Sequence, residues 1–193
     1  MAMVKAEWTL SEAARLLNEP QHRLIYLCEK AVIRPDLSDA HGRGSSRRFS
    51  ARNLLEFEVA LRLRQLTVPV GSIAAVLYAL RAFETKVAKQ IAGFSLPAGL
   101  RTAQAPDLRV VVTDEGRLYF SLGRGSASPT FYGGFDFGRL AAARRTRRRS
   151  KLSKASGSSL QLPALAEGRP AEKAKARVEV SVTRIARDLD LGR

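Results

Sequence analysis

Three arginines, Arg43, Arg47 and Arg48, stand within the segment HGRGSSRRFS between two stretches of helical periodicity, together with Gly42 and Gly44. Guanidinium groups at this density bind anions, and phosphate oxygens above all, because each presents a planar fork of donors. The two glycines let the backbone approach such a partner closely. A second cationic set lies upstream in PQHRLIYLCEK, where His22, Arg23, Tyr26 and Lys30 recur at spacings that share one helix face. A third is RLAAARRTRRRSKLSK, residues 139–154, whose Arg144, Arg145, Arg147, Arg148 and Arg149 belong to eight basic residues with no acidic one among them. All three sets suit a polyphosphate partner. Enzyme chemistry is not expected, because the chain has no His-supported nucleophile, no clustered carboxylates and no phosphate-cradling Gly-Lys motif. His22, His41 and the single Cys28 do not make a metal-ligand cluster, so neither a metal nor another cofactor is expected.

The bulk composition points the same way. A net charge of +15 on 193 residues and an isoelectric point near 11.0 favour a nucleic acid as partner, ahead of an anionic membrane surface. No apolar run approaches the ~20 residues that span a bilayer. The segment MAMVKAEWTLSEAARLL lacks the apolar core of a signal peptide, and one cysteine fits a reducing compartment. An intracellular, cytoplasmic and nucleoid-associated protein is the expectation.

The elements that must position these residues follow from capping and periodicity. In TLSEAARLL, Thr9 precedes Glu12 by three residues, the spacing of a capping box, and Leu10, Ala13, Ala14 and Leu17 form a buried stripe. NEP then breaks the helix, and Pro20 is tolerated in the first turn of a second one whose inner face is Leu24, Leu27, Cys28 and Ala31. Two short helices joined by a tight turn make a helix-turn-helix, a unit that can place its second helix in a DNA major groove. The β-capable segments VIRPDL and RRFS flank the glycine-rich arginine segment as in a hairpin, which beside such a helix pair is a wing. A last helix, GSIAAVLYALRAFETKVAKQIAG, repeats Ile73, Val76, Leu80, Phe83 and Val87 at roughly heptad spacing, serving either the domain's own core or a homodimer seam.

Residues 8–83 resemble the winged-helix DNA-binding domain of the MerR type of bacterial transcription regulators. The resemblance is an ordered series: TLSEAARLL, a proline-started helix containing LIYLCEKAVIRP, the arginine-rich segment closing on RRFS, the helix ARNLLEFEVALRLRQL, and a last helix entered through VPVGSIAAVL. The chain departs from the family at Ile25, where an arginine is usual, and at Leu27, where a second tyrosine is usual. Carried over by position, the family's phosphate and base contacts fall on His22, Arg23, Tyr26, Arg43, Arg47 and Arg48. The family also commonly dimerises through a long helix after this domain and carries a C-terminal sensing domain.

Further along, LRVVV and RLYFSL read as a hairpin joined through Asp114, Glu115 and Gly116, with RVEVSVTRI as a candidate third strand. The expected organisation is a mainly α N-terminal winged helix-turn-helix domain (1–92), a linker (93–105), a β-hairpin and aromatic region (106–138), a disordered basic arm and linker (139–176), and a possible C-terminal strand and short helix (177–193), together a small β-rich C-terminal region. The expected partner is double-stranded DNA, with a homodimer and a protein partner docking on residues 106–138 also open. The expected role is transcription regulation. The alternatives are an architectural or recombination-accessory protein, suited by the net +10 after Ala92, and an adaptor that docks a partner at a DNA site.

Overall fold

The computed structural model describes residues 7–38, 47–124, 129–140, 142 and 174–189. It opens on a short strand β1 (Trp8–Thr9) that leads directly into α1 (Leu10–Leu16). The capping box forms as expected: the Glu12 amide donates to Thr9 Oγ1 at 3.3 Å, and the Thr9 amide donates to the Glu12 carboxylate at 2.8 Å. Asn18, at φ 51°, ends the helix, and Pro20 then occupies the N-cap of α2 (Gln21–Glu29). Leu24 and Leu27 are fully buried beneath α2. Ala31 differs from expectation. It lies past the helix end in the left-handed region at φ 51°, where the Val32 amide closes the last turn onto the Leu27 carbonyl at 2.9 Å.

The segment VIRPDL does not form the expected strand. Val32 and Ile33 are buried, residues 32–37 are bends and irregular backbone, and Pro35 has no amide to give a ladder. A bridge at Ser38 reaches Arg48, and β2 (Arg48–Phe49) also pairs with β1, Trp8 opposite Phe49 and Thr9 opposite Arg48. Residues 39–46 lie outside the described residues.

Ser50 caps α3 (Ala51–Gln65) in a second reciprocal box with Asn53. Leu54, Leu55, Phe57, Val59, Ala60, Leu61 and Leu63 are buried around much of its circumference, which makes α3 the central helix. Thr67 turns the chain at φ 59° and Pro69 starts α4 (Val70–Ala88). Ile73, Val76, Leu80 and Phe83 are buried in the chain's own core, and Val87 packs against it half-buried. Of the two uses open to this stripe, the intramolecular one is therefore present. The helix stops at Ala88, short of the expected Gly93.

The stretch expected to be a linker is packed. It holds α5 (Leu96–Gly99), with Leu96, Pro97 and Leu100 buried, and the Arg187 guanidinium donates to the carbonyls of Leu100, Thr102 and Ala105. Beyond it come β3 (Asp107–Thr113), β4 (Arg117–Gly123), β5 (Thr130–Asp136), β6 (Arg177–Ser181) and α6 (Val182–Asp188). The strands form an antiparallel sheet in the order β5-β4-β3-β6. Gly116 at φ 71° makes the β3–β4 turn where the hairpin was expected. The candidate third strand pairs Val110 with Val180 and Val112 with Val178, but its last residues VTRI belong to α6, capped by Ser181. The strand β5 was not read from the sequence.

One apolar cluster joins the helices to the sheet. Leu108, Val110, Leu118, Phe120 and Phe135 line the face turned to the helices, and the Phe83 and Phe120 rings lie 5.3 Å apart. Val182, Ile185, Ala186 and Leu189 bury the inner side of α6. Leu140, within the segment expected to be a disordered arm, is also buried, so that arm cannot begin at residue 139.

Candidate nucleic-acid interface

α2 is held by its back and displays its front. Opposite buried Leu24 and Leu27, the residues His22, Arg23, Tyr26 and Lys30 are all exposed, as their helical spacing required. Arg23 reaches back to Glu19 at 2.9 Å with its side chain 54% exposed, a surface pair worth at most about 1 kcal/mol and easily exchanged for a stronger anion. Tyr26 sits between two cations: Lys30 Nζ and the Arg64 guanidinium carbon each lie 5.6 Å from its ring centroid. Cation–π attraction at this range orients long side chains at small energetic cost.

Arg64 was missed in the sequence. On α3 Arg62 and Arg64 are exposed on either side of buried Leu63, two positions roughly 200° apart around the helix, so helical periodicity did not single out Arg64. Which of them meets α2 depends on how the two helices pack. Arg62 instead pairs with Glu58 at 2.8 Å.

The arginine segment is only partly described. Arg43 lies outside the described residues, as do Arg144, Arg145, Arg147, Arg148 and Arg149 of the basic arm. Arg47 and Arg48 are half-buried at the start of β2, with Arg48 Nη1 3.9 Å from Glu7 Oε1, a loose contact.

A polar network anchors the approach to this segment. The Asp36 amide donates to Asn53 Oδ1 at 2.9 Å, while Asn53 Nδ2 donates to the Arg34 carbonyl at 2.9 Å and to Glu56 at 3.2 Å. The Arg81 guanidinium forks onto both oxygens of Glu56 and reaches Asp36 at 3.3 Å. Ser50 Oγ donates to the other Asp36 oxygen at 2.9 Å. Arg52 Nε lies 2.6 Å from Glu84, whose second oxygen accepts the Leu96 amide at 2.8 Å. Backbone 34–36 is thus tied to α3 and α4 before the chain turns into the arginine segment. Burial pushes the Glu56 carboxyl above its usual range, against the pull of Arg81 and Asn53. Sequence reading missed this network because its members are spread from Arg34 to Leu96.

No protein-family model and no curated protein matches the chain. Among the described residues, no group of three or more His, Cys, Asp or Glu is placed to hold a metal ion, and no helix is long and apolar enough to cross a membrane.

Proposed function

We propose that this chain binds duplex DNA as a regulator of transcription of the MerR-like winged helix-turn-helix kind, acting at the bacterial nucleoid. The observation that carries the reading is the front of α2: a helix fixed from behind by Leu24 and Leu27, with His22, Arg23, Tyr26 and Lys30 outward and Arg64 drawn in beside Tyr26. A helix of this kind enters a major groove, where arginine reads guanine edges and lysine and tyrosine reach phosphates. The segment from Ser38 to Arg48 is the wing in this reading, its base set by Asn53 and Arg81. The arm bearing Arg144 to Arg149 adds phosphate contacts without sequence information. Because the α4 stripe is used inside the chain's own core, a coiled-coil homodimer is not part of the proposal.

Selection from a randomised duplex library tests the reading, and it should enrich one motif over background. Arg23→Ala should cost about 1 to 3 kcal/mol on that motif and relax preference at one base pair. Arg64→Ala should weaken binding of the motif by loosening Tyr26. Coverage of many sequences with no enriched motif would favour an architectural role; no retention of any duplex would overturn the reading.

A further inference from the structure

One side chain clasps both stems of the arginine segment. Asn53, fully buried in the first turn of α3, accepts at Oδ1 from the Asp36 amide at 2.9 Å on the incoming stem and from the Ser50 amide at 3.2 Å on the outgoing one. Its Nδ2 donates to the Arg34 carbonyl at 2.9 Å and to Glu56 at 3.2 Å. A carboxamide has two acceptor positions on its oxygen and two N–H donors, and Asn53 uses all of them. Around it, Ser50 Oγ donates to the Asp36 carboxylate at 2.9 Å, and the Arg48 amide donates to the Ser38 carbonyl at 2.9 Å.

Helix capping does not account for this arrangement. The box at the start of α3 is complete once the Asn53 amide donates to Ser50 Oγ and the Ser50 amide donates to Asn53 Oδ1. The bonds to Asp36 and Arg34 add nothing to that cap, and they tie α3 to backbone at the opposite end of the arginine segment. The residue type is selected as well. Aspartate would set a second carboxylate against Glu56 and turn an acceptor toward the Arg34 carbonyl, while an apolar side chain would supply none of the four bonds.

We infer that Asn53 is a positioning residue for duplex binding: by holding residues 34–36 and Ser50 on one side chain, it sets Arg47 and Arg48, which lead into Ser50, in the orientation in which they meet phosphate. The inference rests on the proposed function and deepens it, because it assigns the geometry of these arginines to a buried residue that touches no DNA. On a closed stem, guanidiniums bind without a further loss of backbone freedom, whereas on parted stems that loss is subtracted from every encounter.

A double-mutant cycle on the full chain tests it, with a duplex that the wild-type chain retains as ligand. Arg47→Ala/Arg48→Ala should weaken binding and lower the slope of log affinity against log salt by up to about 2 units, at about 0.9 per lost phosphate contact. Asn53→Ala should weaken binding about 5- to 30-fold while circular dichroism shows a folded protein. The combined variant should bind at least about threefold more tightly than the product of the two losses implies, a departure beyond the scatter of independent sites. Asp36→Ala removes the Ser50 Oγ and guanidinium contacts but leaves Asn53 buried and Arg81 on Glu56. It should give the same pattern, and it replaces Asn53→Ala if that variant does not fold. Losses that multiply would make Asn53 a stability residue only and overturn the inference with the proposed function intact. Wild-type affinity in Arg47→Ala/Arg48→Ala overturns it too, since Asn53 would then have no contact to position. Failure of the wild-type chain to bind any duplex overturns this inference and the proposed function together.

Discussion

At the scale of single residues, the Glu56–Arg81 pair fixes the backbone that leads into the arginine segment. Glu56 is 2% exposed, and its carboxylate is made tolerable there by the Arg81 fork and the Asn53 amide. Removing one partner of a buried pair strands the other charge. Arg81→Met should therefore destabilise the fold by about 2 to 4 kcal/mol near neutral pH, toward the lower end because Arg81 is itself 35% exposed and solvent screens its share. The sign with pH follows from Glu56. Without Arg81, burial raises the folded-state carboxyl further above its ordinary 4.5, so the folded state holds the proton more tightly than the unfolded chain. Stability is then fully present below about 4.5 and lost as pH rises through the raised folded value. Thermal melts at several pH values should show the deficit shrinking toward pH 4.5 and vanishing as a pH-dependent effect when Glu56→Gln is added. A deficit independent of pH would mean that Glu56 is not the stranded charge.

At the scale of elements, β5 and the arginine segment carry separate expectations. Gly133 adopts φ 114°, at the bulge where the register shifts between Leu118 and Tyr119, and a Cβ there would stand 2.7 Å from the Phe135 ring and 3.2 Å from the Leu118 carbonyl. Backbone strain and crowding act together, so Gly133→Ala should cost about 1 to 3 kcal/mol. Gly71 is the contrasting case. It is exposed in the first turn of α4, a Cβ there would meet nothing within 4 Å, and Gly71→Ala should be neutral or add up to about 1 kcal/mol. Chemical denaturation of the two variants distinguishes them, and equal effects would refute the strain at Gly133. For the arginine segment, changing Arg43, Arg47 and Arg48 together to alanine should weaken specific and random duplex alike. The salt slope should fall by up to about 3 units, while lysine at all three positions keeps most of the non-specific affinity. A folded triple-alanine protein with wild-type affinity and slope would remove the wing from the interface.

At the scale of the whole molecule, the helices and the sheet share one core. Phe120 is fully buried on β4 and lies 5.3 Å from Phe83 of α4 and 6.3 Å from Phe135 of β5. Trp8, the single tryptophan, is 4% exposed in the same cluster. Phe120→Ala should cost about 3 to 5 kcal/mol, and the loss should be read equally by Trp8 fluorescence and by far-ultraviolet circular dichroism in one coincident transition. If the Trp8 transition stays at its wild-type midpoint while a second transition moves, the sheet is an independent unit.

Features whose information is local could be read from the chain directly. The Thr9–Glu12 box, the Pro20 start of α2, the outward set His22, Arg23, Tyr26 and Lys30, and the Gly116 turn were all legible because each depends on residues within a few positions of one another. The third strand was legible from its alternating valines, whereas β5 was not, since Gly133 and Gly134 interrupt the apolar alternation that marks a strand. The partners of residues distant in the chain emerged only from the packing of the elements. That packing set Arg64 against Tyr26, tied Asp36 to Asn53 and Arg81, placed the α4 stripe in the chain's own core, and ordered residues 93–105 where a linker was expected. A side chain's spacing fixes which face of its element it occupies, while the neighbour across that face is chosen by the burial of the whole apolar cluster at once.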